Sequence, residues 1–291
     1  MPTVREQFVQ SMRAQWLGAR MRELREERGL TLKYIAAYLG VEFSTLARYE
    51  RAEWPFRRDH VIALLDVYHI YDEAERQVLV TLAQEAWRVH QWEQDGAVGP
   101  ASLTVIDHWW LQQRAEELHV YATMAIPPLL QTRDYAEAVV QAAAGTPPLP
   151  MSKVDSLVRR CLDRQQVLDD KPPKRLELFL EEHVLHKPIG GRAVLRAQLE
   201  HLVRVAEGRP HVKVRLVPPA GWHPGAHGAF TRCVMQRPYP SVVLLEHLGG
   251  RLALEANAAA EYAKALDRIR EIALDPFESI NQITKAAEDL A

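Results

Sequence analysis

Residues 16–54 read WLGARMRELREERGLTLKYIAAYLGVEFSTLARYERAEW, and this stretch decides the fold of the N-terminal part of the chain. Apolar side chains recur between Leu17 and Leu24 at the spacing of one helical face, which predicts an amphipathic helix. Gly29 is expected to end this helix, because glycine adopts the left-handed cap conformation without a steric cost. Gly40 marks a second break, so two more short helices are predicted to follow.

The second and third helices are defined by a cap and by their apolar stripes. Thr31 is suited to cap the second helix, since a threonine hydroxyl accepts a backbone N–H at a helix start. The third helix is expected to bury Leu46 and Tyr49. Two short helices joined by a glycine turn form the DNA-reading unit of many repressors. The alternative is a plain helical bundle with a charged, solvated face.

A family resemblance runs through the same stretch. The pairs LR at 24–25, RG at 28–29, LG at 39–40 and YE at 49–50 resemble the Xre/Cro/C1 family of repressors. The resemblance implies a five-helix, lambda-repressor-like domain whose third helix enters the DNA major groove. It also implies that the start of this helix, and the position two before the final Glu, face the bases. In this sequence, those positions are Phe43, Ser44, Thr45 and Arg48.

The chemistry of these side chains fits base reading. Arg48 offers two parallel bonds to guanine O6 and N7, and Phe43 suits a thymine methyl group. The hydroxyls of Ser44 and Thr45 donate or accept hydrogen bonds. Neighbouring basic and hydroxyl side chains are predicted to contact phosphates, which position a protein on DNA without specifying sequence. They are Arg25, Arg28, Thr31, Lys33, Arg51, Arg57 and Arg58.

The composition fits a protein of about two domains. The chain has 291 residues, of which 47% are hydrophobic and 25% charged. Residues 1–60 carry eleven Lys and Arg against eight Asp and Glu, whereas the whole chain has 36 against 38. The basic excess therefore lies at the N-terminal end, which fits DNA contact there.

The cysteines and the hydrophobicity pattern indicate where the protein resides. Cys161 and Cys233 form no CxxC pair, so neither a disulfide framework nor a zinc finger is predicted. No apolar run reaches the length of a bilayer crossing, and residues 1–15 are too polar for a signal peptide. We expect a cytoplasmic protein without membrane contact, associated with the nucleoid when it is bound to DNA.

Two further helices are predicted to complete a helix-turn-helix domain over residues 1–94. The turn-rich DGAVGPAS at 95–102 then separates it from a body over residues 103–291. The body is expected to begin with helices, one of them over 105–120 with Trp109 and Trp110. Alternating stretches after Lys174 then predict strands around one inserted helix. The predicted fold is mainly α with an α+β C-terminal domain, in which helices accompany a small mixed sheet.

The body has its own resemblance, to actinobacterial regulators of the WhiJ type. In that group an Xre-type reader precedes a domain of unknown function. The matching stretches are IPPLLQTRDYAEA (126–138), LDRQQVL (162–168), EEHVLHKPIGG (181–191), WHPGAHGAF (222–230) and VVLLEHLGG (242–250). The resemblance implies transcriptional control, often beside a small partner protein encoded nearby.

Histidines and carboxylates in the body raise the alternative of a zinc or manganese site. Against this alternative, the pair in HPGAHG lies in a loop rich in Gly and Pro, and no GxSxG, P-loop or GxGxxG motif occurs. We expect no metal, no cofactor and no catalysis. Tyr121 and residues 127–135 are instead candidates for a groove that takes a peptide or small molecule, and the alternative is that these aromatic residues belong to the core, as aromatic residues at helical spacing more often do. The histidines and carboxylates are His183, His186, His211, His223, His227 and His247 with Glu181, Glu182 and Glu246.

The sequence thus favours a dimeric, sequence-specific transcription regulator that binds a double-stranded DNA operator. Its body is expected to serve homodimerisation, with the adjacent Trp109 and Trp110 as candidates for that surface, and to sense an effector or partner protein. Two-fold operators require two copies of such a reader. The alternative is an antitoxin-like interaction protein that sequesters a small partner and autoregulates through DNA binding. A third hypothesis is a metal-dependent enzyme fused to a reader.

Overall fold

A computed structural model describes residues 12–85, 108–145, 147–219, 222–235, 241–247 and 250–290. The chain divides into two compact units, one containing residues 12–85 and the other containing the described residues from 108 onward. The expected linker at 95–102 and the expected domain bounds at 94 and 103 lie outside the described residues.

The first unit contains the five expected helices within residues 12–85. They are α1 (Met12–Glu27), α2 (Leu32–Leu39), α3 (Phe43–Glu50), α4 (Arg58–Val67) and α5 (Glu73–Glu85). Thr31 caps α2, because its Oγ1 accepts the backbone N–H of Tyr34 at 3.2 Å. Gly40 ends α2 in the left-handed region at φ 65°. The apolar faces of all five helices share one core, in which Leu17 and Leu46 are fully buried.

The helix α1 lies unusually close to the end of α3. A Cβ atom added at Gly18 would lie 2.7 Å from the carbonyl oxygen of Glu50, so no larger residue fits there without a backbone shift. This close approach fixes the end of α3 against the long first helix.

The second unit is built on one mixed sheet of six strands. They are β1 (Ala115–Ala122), β2 (Arg175–Glu181), β3 (Val212–Val217), β4 (Phe230–Met235), β5 (Val242–His247) and β6 (Gly250–Leu254). Their order across the sheet is β3-β2-β1-β4-β5-β6. The strands β1, β2 and β3 run parallel, whereas β4, β5 and β6 pair antiparallel. The small mixed sheet predicted from the sequence is therefore confirmed.

The predicted helix over 105–120 is wrong for most of its length. The helix α6 spans only His108–Arg114, and β1 follows from Ala115 as a central strand. The strand reads AEELHVYA, with Glu116 exposed and Glu117 half-buried, so it shows neither the alternation nor the apolar run that predicts a strand.

Five further helices belong to the described part of the second unit. They are α7 (Arg133–Ala144), α8 (Met151–Arg164), α9 (Arg192–Gly208), α10 (Ala256–Ile272) and α11 (Pro276–Glu288). The helix α10 packs on the sheet face that carries Tyr121, Phe179 and Phe230. The helices α9 and α11 pack against each other and against β3. Residues 123–132 follow the carboxyl end of β1, and residues 182–191 follow that of β2.

Candidate nucleic-acid interface

One face of α3 is directed outward and carries most of the residues expected to read bases. Phe43 is 54% exposed, and Ser44 and Arg48 are exposed as well. Thr45 is half-buried. The opposite face of α3 packs Leu46 and Tyr49 into the core. Amphipathic burial thus turns a contiguous polar and aromatic strip of α3 toward solvent.

Arg48 does not extend freely into solvent. Its guanidinium carbon lies 4.7 Å from the centroid of the Trp54 ring, within the range of a cation–π contact. Its Nε lies 3.9 Å from Oε2 of Glu53, and its side chain keeps 45% of its exposure. Trp54 is the last residue of the stretch 16–54, but no spacing or motif in the sequence indicates that it is a functional residue.

The candidate phosphate contacts near this strip differ in how free their side chains are to bind a phosphate. Arg51 pairs with Glu53 at 2.7 Å, and Arg57 pairs with Asp59 at 2.8 Å. Such exposed pairs contribute little to stability, so a phosphate can replace the carboxylate at little cost. Lys33 and Arg58 are exposed and form no ion pair within the described ranges.

The two remaining compatible candidates are more constrained. Arg28 is half-buried, with its Nη1 3.2 Å from the carbonyl oxygen of Leu24. Thr31 is exposed, but its hydroxyl accepts the N–H of Tyr34 as the cap of α2. A threonine in that role still has a hydroxyl hydrogen to donate.

Arg25, predicted to contact a phosphate, is buried in this fold. Arg25 is only 6% exposed, and it forms two bonds to Glu50, Nε to Oε1 at 2.7 Å and Nη2 to Oε2 at 2.9 Å. Its Nη1 also donates to the carbonyl oxygen of Leu30 at 2.9 Å. The bonds to Glu50 raise the pKa of Arg25, although burial opposes them. Arg25 therefore holds α1 to the end of α3 instead of facing solvent.

The second unit contains a groove of about 440 Å³ at the carboxyl end of β1. Its floor is formed by the last residues of β1 together with Phe230 and Leu244, and its rim by residues 123–131. The groove lies where the parallel strand β1 meets the antiparallel strand β4. Tyr121 and residues 127–129 and 131, expected to line a groove, line this one, whereas residues 130 and 132–135 do not.

Three glutamines, one within the rim and two from later in the chain, fix the rim of this groove. Gln131 donates to the carbonyl oxygen of Ile126 at 2.7 Å, within the rim itself. Gln165 donates to the carbonyl oxygens of Pro128 and Gln131, both at 2.8 Å. The fully buried Gln198 donates to Leu130 at 2.7 Å. The rim is thus pre-formed by side-chain bonds to its own backbone.

The carboxylate of Glu181, at the end of β2, links β1 to the loop at 222–228. Oε1 of Glu181 accepts the Tyr121 hydroxyl at 2.6 Å and lies 3.3 Å from Nε2 of His223. Nδ1 of His223 accepts the N–H of Gly225 at 3.2 Å. A Cβ added at Gly225 would lie 2.4 Å from the Tyr121 ring, so the 222–228 loop presses directly on β1. Burial and the bond to Glu181 raise the pKa of Tyr121.

The candidate metal ligands do not gather in the part of the chain that the structure describes. Within it, no group of three or more His, Cys, Asp or Glu side chains is placed to hold a metal ion. The side chain of His247 lies outside the described residues. Cys161 is half-buried, with its Sγ 3.5 Å from the carbonyl oxygen of Pro128. Burial raises the pKa of this thiol.

The five-helix unit with its outward-facing α3 defines a helix-turn-helix DNA-binding domain. Residues 16–79 match the model of a helix-turn-helix domain family, and residues 105–285 match that of DUF5753, a domain of unknown function. The second match covers more than half of the chain, and the chain belongs to the DUF5753 family. No curated protein and no solved structure matches it. No described helix is long and apolar enough to span a bilayer.

Proposed function

We propose that the protein is a sequence-specific regulator of transcription that reads an operator with α3. The observation that carries the proposal is the outward placement of Arg48 beside exposed Phe43 and Ser44. A guanidinium at this position reaches a guanine edge when α3 enters the major groove. Lys33, Arg51, Arg57 and Arg58 then supply phosphate contacts around it.

Binding-site selection with the full chain tests this proposal. Arg48→Ala should relax the preference at one symmetric pair of base positions, with a loss of about 1–3 kcal/mol of discrimination. Arg58→Ala is the matched control, because it removes the same charge from an exposed position that forms no ion pair within the described ranges. It should weaken all sequences alike. A uniform loss for Arg48→Ala would contradict base reading.

The proposal includes a homodimer. Two-fold operators place half-sites about one helical turn of DNA apart, so a single reader covers only half of the site. We assign the dimer surface to the second unit, with Trp109 and Trp110 as its candidate residues. Their side chains lie outside the described residues. Sedimentation of the full chain should give a dimer, and two chains should bind each operator. A monomer that binds one half-site would overturn this part.

We further propose that the second unit senses an effector at its groove. The volume falls in the range of small-molecule sites, and most of the lining is apolar. Ligands in such sheets bind beyond the carboxyl ends of the strands, where the direction of the connections changes. Native mass spectrometry of protein from its own cells should find a bound small molecule, which Ala229→Phe should displace. A co-purified small protein would instead support the antitoxin-like alternative.

A further inference from the structure

The chain reverses direction after α3 and returns Trp54 to Arg48. Ala52 has φ 54°, in the left-handed region that L residues rarely adopt. The backbone N–H groups of Glu53 and Trp54 both point to the carbonyl oxygen of Arg48, at 2.9 and 3.4 Å. This turn caps α3 and places the Trp54 side chain against that of Arg48.

The geometry of the contact suits an arginine that must meet a base edge. The guanidinium carbon of Arg48 lies 4.7 Å from the ring centroid of Trp54. A guanidinium stacked on a ring uses its face, whereas its N–H donors lie in its own plane and remain available. The nearby carboxylate of Glu53 is 3.9 Å from Arg48 and only 2.7 Å from Arg51, so it is bonded mainly to Arg51.

Trp54 itself contributes little to the core. It is 44% exposed and does not belong to the cluster of buried residues that holds the five helices together. A large aromatic residue beside an arginine at the surface has another physical role, because it restricts the rotamers of the arginine side chain. An arginine that is already restricted loses less conformational entropy when it binds a ligand.

We propose that Trp54 is a positioning residue for base recognition. It holds Arg48 in an orientation compatible with a guanine edge before DNA arrives. This inference rests on the proposed function and adds that the specificity of the reader depends on a residue outside α3. The contact lowers the entropic cost of the Arg48–base bonds and leaves phosphate contacts unchanged.

Binding-site selection and competition with full-length Trp54 variants test the inference. Trp54→Ala should lower discrimination at the Arg48-dependent base position by about two- to fivefold, the range of exposed cation–π contacts. Trp54→Phe should retain most of the discrimination, because it keeps a ring face. Trp54→Leu keeps apolar bulk without that face, and it should behave as Trp54→Ala. Non-specific affinity and its salt dependence should stay unchanged, because no charge is removed.

A double-mutant cycle with Arg48→Ala separates this inference from the proposed function. In the Arg48→Ala background, Trp54→Ala should have no further effect on base preference. If Arg48→Ala leaves base preference intact, the proposed function fails. If Arg48→Ala relaxes preference but Trp54→Ala does not, only the positioning role is overturned. A uniform loss for Trp54→Leu would show direct DNA contact by Trp54 and would also overturn it.

Discussion

Arg25 and Glu50 form a buried ion pair with two bonds, although they lie 25 positions apart in the chain. The side chains keep only 7% and 4% of their exposure. The pair joins the first helix to the last residue of the reading helix, and Arg25 also bonds Leu30 in the turn before α2. The orientation of α3 is therefore set by a charge pair as well as by the apolar core.

Removing one member of this pair should destabilise the first unit. In Arg25→Ala, Glu50 remains as a buried charge without compensation, which costs about 3–5 kcal/mol. The urea midpoint of the helix-turn-helix transition in the full chain should fall accordingly. Arg25→Met combined with Glu50→Leu should recover most of the stability, because no buried charge remains. An unchanged midpoint with a lower salt slope of DNA binding would restore Arg25 as a phosphate contact.

The burial of Arg25 and the strand β1 both depend on partners from elsewhere in the chain. The charge of Arg25 predicted a solvent-exposed side chain, because its partner Glu50 lies in another helix. Residues 115–122 form a strand because β2 and β4 pair on either side of them. Local patterns predicted the five helices, their glycine turns and the outward face of α3. Local patterns do not predict which residues from distant parts of the chain come into contact. The contact of Trp54 with Arg48 likewise depends on the path of the turn after α3.

The groove of the second unit could also be predicted only in part from the sequence. From the sequence, Tyr121 and residues 127–135 are candidates either for a groove or for the core. The rim, however, is fixed by Gln165 and Gln198, which arrive from later elements through bonds to backbone atoms. Gln165 lies in the LDRQQVL stretch that carries the family resemblance, but no spacing in the sequence indicates that either glutamine bonds to this rim. Only the folded chain brings them together.

Lys33→Ala should weaken DNA binding equally for all sequences. Lys33 is exposed at the start of α2 and has no ion pair among the described residues, so a phosphate contact is its available role. Removing one phosphate contact should lower the slope of log K against log salt by about 0.9. Titrations at several salt concentrations measure this slope. Lys187→Ala, in the second unit, is the control and should leave it unchanged. A shifted base preference would contradict the phosphate assignment.

Gln198→Leu should destabilise the second unit without changing the size of its core. The side chain is fully buried, donates to Leu130 at 2.7 Å and accepts the N–H of Thr132 at 2.6 Å. Leucine leaves both backbone groups without these partners, at about 1–3 kcal/mol for each. Thermal unfolding should show the lower stability, and Glu200→Gln on the exposed side of α9 should not. Wild-type stability in Gln198→Leu would mean that the rim relaxes freely.

His119 in β1 is held as a neutral imidazole. Its Nδ1 lies 3.2 Å from Nη1 of Arg232, which donates, and its Nε2 lies 3.2 Å from Oε2 of Glu117. One ring nitrogen therefore accepts and the other donates, as in the neutral form. Burial lowers the pKa of His119, and the charges of Arg232 and Arg270 lower it further, against the opposing charges of Glu117 and Glu177.

The second unit should therefore lose stability as the pH falls below about 6.5, the ordinary pKa of histidine. Below that value the unfolded chain binds a proton at His119 before the folded chain does, so protonation favours unfolding until the lower folded pKa is reached. Urea unfolding at about pH 7.5 and about pH 5.5 measures the difference. His119→Gln should reduce this difference in stability. Burial also lowers the pKa of His201, so some pH dependence should remain in His119→Gln, and His201→Gln measures that remainder. Equal pH dependence in His119→Gln and the wild type would show that His119 does not carry the effect.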